Sequence, residues 1–220
     1  MSLGLLFLDE LKGYAKSKVM IVLWVGLPLL AFLIQFFNPN ELEGMPVSFL
    51  VSLVVSSIGG TLSSIMLSTS IVSEKNRHVY ELFLIRPVKR CSLILAKFLA
   101  VYLCLVIAVS ISLTIGLFID SITNELIENF LKSTFESLII GISSMSITCS
   151  IGIFFGILVS SVPVAAILSV YLGSQLSSII LLPTFFIQSL NPIILALSLG
   201  IVITSIIMSI NIVLFNRQQF

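Results

Sequence analysis

The sequence predicts an all-α integral membrane protein with six transmembrane helices and both termini in the cytoplasm, preceded by an amphipathic helix on the membrane surface. Three observations lead to this class. Of the 220 residues, 58% are hydrophobic and only 10% are charged, whereas about 25% of a soluble domain is charged. The mean hydropathy is +1.20. The charged residues also lie between long apolar runs, which is the pattern of a multi-span chain.

Residues 1–18 are predicted to form a separate amphipathic helix. Four large apolar residues recur at helical spacing and define one face, and four charged residues are expected on the opposite face. The apolar set is Leu3, Phe7, Leu11 and Tyr14, and the charged set is Asp9, Glu10, Lys12 and Lys16. Such a helix lies in the plane of the membrane surface. A frayed tail with basic anchors is the alternative.

Residues 19–220 are predicted to form the transmembrane domain. A helix needs about 20 apolar residues to cross roughly 30 Å of hydrocarbon, and six runs have this length. They are Val19–Phe37, Val47–Val72, Leu93–Ile119, Thr134–Ser160, Val164–Pro183 and Ile193–Phe215. Lys97 and Glu136 lie near the ends of their runs, so their charged groups are expected to reach the membrane surface.

The basic residues predict the orientation of the spans. With a cytoplasmic N-terminus, ten of the eleven Lys and Arg residues are inside and only Lys132 is outside, which follows the positive-inside rule. The protein is therefore expected in the cell membrane. The net charge of +1 combines a basic inner face with an acidic outer face, so no nucleic-acid partner is expected.

The distribution of reactive side chains argues against chemistry on this chain. No Asp, Glu, Lys, Arg or His lies deep in any span, and His78 is the only histidine. Coupled carriers and intramembrane enzymes keep such groups within their spans. The three cysteines are odd in number and none is expected outside, so no disulfide is predicted. No catalytic residue, metal site or bound cofactor is predicted.

The second span carries a ridge of small residues. Ser52, Ser56, Gly60, Ser64 and Ser68 recur every four residues, and such ridges let helices approach closely in lipid. Packing within the same chain is one interpretation. The other is that the ridge forms a subunit interface or lines a translocation path.

A charged segment, about residues 73–92, lies between the second and third spans. Together with Lys97, it contains six of the eleven Lys and Arg residues. A helix is expected to continue to about Ile85, with Glu74, Arg77, His78 and Glu81 as a polar stripe, and to end before Pro87. The sequence leaves open whether this segment only fixes topology or also docks a soluble protein.

The order of residues in this segment resembles that of ABC-2 type transporter permeases. A Glu74-Lys75 pair is followed by Glu81-Leu82, then by Pro87 and Lys97, although His78-Val79 stands where the family usually has Gly-Thr. The resemblance implies a homodimer or heterodimer of permeases, each docked to a cytoplasmic ATP-binding subunit. That subunit would bind ATP and Mg, and the complex would export or flip a substrate.

The resemblance also implies a set of residues that couple the permease to the ATPase. These are Glu74, Lys75, Glu81, Arg86 and Pro87, with Arg77 and His78 as neighbours on the polar stripe. Two other functions stay open at this point. A passive channel or carrier would pass substrate without ATP, and a membrane scaffold or sensor would dock a regulator that has no ATPase activity.

Overall fold

The computed structural model describes residues 3–37, 47–77, 90–123, 128–186 and 191–217. These residues form seven helices and no strand. The helices are α1 (Leu3–Ala15), α2 (Lys18–Phe37), α3 (Val47–Asn76), α4 (Arg90–Thr123), α5 (Glu128–Leu158), α6 (Val162–Phe186) and α7 (Pro192–Arg217). Helices α3 to α7 are long and apolar enough to cross a membrane. The predicted all-α class is confirmed, and these apolar helices indicate a multi-pass membrane protein.

Helices α1 and α2 meet at a bend of 66°. The chain breaks at Ser17, whose backbone N–H still bonds to the Tyr14 carbonyl at 3.0 Å. The Ser17 hydroxyl accepts a hydrogen bond from the Met20 N–H at 3.2 Å, which is the usual way for serine to begin a helix. A sixth crossing is counted only if α1 and α2 are taken as one broken span. Six spans with both termini inside therefore stay a prediction.

The helix that was expected to continue beyond the second span is confirmed as far as Asn76. The Arg77 N–H then bonds to the Ser73 carbonyl at 3.1 Å. The rest of the predicted segment, up to residue 89, lies outside the described residues. The predicted fourth and fifth spans are separated by a short turn at residues 159–161, because α5 ends at Leu158 and α6 begins at Val162, two residues before the predicted start of the fifth span.

Helix α5 lies at the centre of the bundle and packs against α3, α4, α6 and α7. Its tightest neighbour is α3, where small residues bring the two backbones together. A Cβ atom placed on Gly152 would lie 2.6 Å from the Ser64 carbonyl oxygen, and one on Gly156 would lie 2.9 Å from the Ile71 Cβ. Helices α6 and α7 are mostly exposed at the periphery, where lipid would cover their apolar side chains.

Candidate functional site: a charged junction at one end of the bundle

A buried ion triad joins three helices at one end of the bundle. The Lys97 ammonium group on α4 lies 2.7 Å from Glu74 Oε1 on α3 and 2.9 Å from Glu10 Oε1 on α1. Only 3% of the Lys97 side chain is exposed. A buried charge is costly unless it is paired and hydrogen-bonded. These two carboxylates therefore offset the cost of burying the Lys97 ammonium group.

Tyr14 and Ser70 make further contacts with the triad and with each other. The Lys97 ammonium group lies 5.7 Å from the centre of the Tyr14 ring, within the range of a cation–π interaction. The Tyr14 and Ser70 hydroxyl oxygens are 3.2 Å apart, and the Ser70 hydroxyl donates to Glu74 Oε1 at 3.1 Å. Helix α1 is thus linked to α3 directly as well as through Lys97.

The triad contains one positive and two negative groups. The Glu10 and Glu74 side chains are each 24% exposed, so they form the partly accessible side of the triad. Burial raises the pKa of Glu10 above its usual value, although the nearby Lys97 ammonium group acts in the opposite direction. Burial therefore disfavours the ionised form of Glu10, and the contact with Lys97 offsets part of this cost.

The two residues after Glu74 bind the turn between α5 and α6. The Lys75 ammonium group donates to the Ile157 carbonyl at 3.2 Å, and the Asn76 amide donates to the Ser160 carbonyl at 3.2 Å. The last carbonyls of a helix have no partner within it, so these donors satisfy groups at the end of α5. Three consecutive residues of α3 therefore contact α4 and this turn, and Glu74 is linked to α1 through the Lys97 ammonium group.

The structure describes only part of the predicted coupling set. Glu74 and Lys75 lie in the junction, and Arg77 is exposed at the end of α3. His78, Glu81, Arg86 and Pro87 lie outside the described residues. The coupling role of all seven stays a prediction.

Two sequence-based expectations about the junction were wrong. Lys97 was expected to reach the membrane surface, but it turns inward because carboxylates from α1 and α3 converge on it. Glu10 was expected on the polar face of α1. It lies four residues before Tyr14, which places both side chains on one helical stripe. The four-residue spacing of Glu10 and Tyr14 was therefore a sequence signal for the position of Glu10. No comparable signal in the sequence indicated the contacts of Ser70 and Asn76.

The ridge of small residues on α3 packs inside this chain. Gly60 lies against Thr148 of α5, Ser64 lies against Gly152, and the Ser68 hydroxyl is 3.2 Å from the Ser169 hydroxyl of α6. Ser56, Ser64 and Ser68 are buried, and the side chain of Ser52 is not described. The role of this ridge at a subunit interface or along a path stays a prediction.

No protein-family model matches the sequence, and no curated protein matches it. Among the described residues, no group of three or more His, Cys, Asp or Glu side chains is placed to hold a metal ion. The resemblance to ABC-2 permeases therefore depends on the residues between Glu74 and Lys97 and on the plan of the spans.

Proposed function

We propose that this chain is the membrane permease subunit of an ATP-binding cassette exporter. In this proposal it has six spans, both termini are cytoplasmic, and α1 lies on the inner surface of the cell membrane. A second copy or a related permease completes the dimer, and a separate cytoplasmic subunit binds and hydrolyses ATP with Mg. The observation that carries the proposal is the junction at Glu74–Asn76, which ties four parts of the bundle together.

The junction supports the proposal because it offers a route for mechanical coupling. A force applied to the charged segment after α3 acts first on Glu74, Lys75 and Asn76. These residues hold α1 and α4 through the triad and hold the α5–α6 turn through backbone carbonyls. Separating a buried ion pair costs several kcal/mol. The connected elements would therefore move together rather than one at a time.

The proposal is tested by purifying the tagged protein gently from its native membrane and measuring ATPase activity in the purified assembly. A stoichiometric soluble ATPase is expected. Glu81→Ala and Arg86→Ala should weaken its binding or uncouple hydrolysis from transport. Lys132→Ala is the matched control, because Lys132 is the one basic residue predicted on the outer side.

Other outcomes would favour the rival functions. Substrate flux through liposomes that contain this chain alone, without ATP, would identify a channel or passive carrier. A bound soluble partner with no ATPase activity would identify a scaffold or sensor. Either result would overturn the exporter proposal.

A further inference from the structure

A cavity of about 530 Å³, widely open on one side, lies beside the ion triad, between α1, α3 and the start of α6. Its walls combine acidic and hydroxyl groups with a few apolar side chains. Those that matter for its chemistry are Glu10, Tyr14, Ser70, Ser73, Glu74 and Val162. Its volume falls within the range of about 300–1,000 Å³ that is usual for ligand sites.

The charge of this cavity is negative. Both carboxylates of the triad line it, whereas Lys97 does not, and no lysine or arginine is among the described residues of its wall. Counting Lys97, Glu10 and Glu74 together leaves one negative charge in excess. A positive group in the cavity would offset a charge that the protein leaves uncompensated.

We propose that this cavity binds the primary ammonium or guanidinium end of an organic cation. Such a group carries several N–H donors, and the cavity offers acceptors on Glu10 from α1 and on Glu74 and Ser73 from α3. Hydrogen bonds between charged groups are about twice as strong as neutral ones. Met66 and Val162, which also line the cavity, would contact the alkyl stem. The proposal does not depend on the exporter function.

The first test titrates n-butylguanidinium chloride into the full-length protein in lipid nanodiscs and measures binding by calorimetry. Uncharged n-butylurea, which has nearly the same shape, is the control ligand. Saturable binding of n-butylguanidinium is expected, whereas n-butylurea should not bind. Glu10→Gln should weaken it about tenfold, which corresponds to roughly 1.4 kcal/mol. Asp9→Asn is the matched control, since it removes the same charge from an exposed neighbour outside the cavity wall.

A second variant keeps the test valid if Glu10→Gln disturbs folding. Ser73→Leu adds an apolar side chain to the cavity wall without changing the charge of the triad, and it should abolish binding. Absence of saturable binding to the wild-type protein would overturn the proposal. So would equal binding of n-butylurea, or unchanged affinity in both variants.

The cation could be a free amine or a lysine or arginine side chain of a docked protein. To distinguish these sources, n-butylguanidinium is added to the assembly purified from the native membrane. Release of a bound protein would identify a side chain as the natural ligand, and binding without release would identify a free amine. A negative result here leaves the ATPase test unaffected, and the absence of an ATPase leaves this test unaffected.

Discussion

Lys97 and Glu74 are 23 residues apart in the sequence, and their charged groups meet at 2.7 Å inside the protein. Residues 78–89, which connect the two helices, carry other charged side chains. Yet the contact forms between the end of α3 and the second turn of α4. Because Glu10 joins the same ammonium group, the pair also fixes the position of α1. One lysine thus organises three helices at the end of the bundle.

Lys97→Met should strongly destabilise the protein. It leaves two partly buried carboxylates without their cation, and breaking such a pair typically costs about 3–5 kcal/mol. The midpoint of thermal unfolding in detergent should fall well below that of Lys132→Met, which removes an exposed lysine. Adding Glu10→Gln and Glu74→Gln to Lys97→Met should restore part of the loss. Equal midpoints for the two lysine variants would contradict a structural role for the triad.

The sequence predicted the long apolar helices α3 to α7 because each depends on a local property. A run of about 20 apolar residues has to form a helix in lipid, and the breaks near Ser17 and Ser160 follow from residues at those positions. The triad could not be predicted in this way. The position of Lys97 near the start of its run favours a surface location, and nothing local shows that Glu10 and Glu74 meet it.

The small-residue ridge of α3 shows a similar limit. Its four-residue spacing correctly indicates close helix packing, but it does not identify the partner helix. The complementary signal is the pair Gly152 and Gly156 on α5, which has the same spacing. Two matching patterns become informative only when the topology places them side by side.

Gly152→Ala should disrupt the packing of α3 on α5. The added Cβ would lie 2.6 Å from the Ser64 carbonyl oxygen, so one backbone has to move, and overpacking of this kind costs about 1–3 kcal/mol. Gly26→Ala is the matched control because its Cβ would meet nothing within 4 Å. Thermal unfolding in detergent measures both. An unchanged midpoint for Gly152→Ala would mean that the two helices are farther apart than described.

Lys75→Met should loosen the turn between α5 and α6. It removes the hydrogen bond to the Ile157 carbonyl, and a bond from a charged donor contributes about 1.5–3 kcal/mol. Amide hydrogen exchange around residues 157–162 should become faster, while exchange in the middle of α5 should not change. Arg77→Met removes an exposed charge from the end of the same helix and should have no such effect. Similar exchange in both variants would show that Lys75 does not hold the turn.

The predicted orientation can be tested by labelling single cysteines in intact cells. Cys91, Cys104 and Cys149 are all free thiols, so each is first replaced by serine or alanine. A maleimide that cannot cross the membrane should then label Lys132→Cys but not Lys12→Cys, because ten basic residues are expected inside. Permeabilising the cells should expose Lys12→Cys as well. Labelling of Lys12→Cys in intact cells would place α1 and the junction outside. A cytoplasmic ATPase could not reach them in that position, so both the predicted topology and the proposed coupling would be wrong.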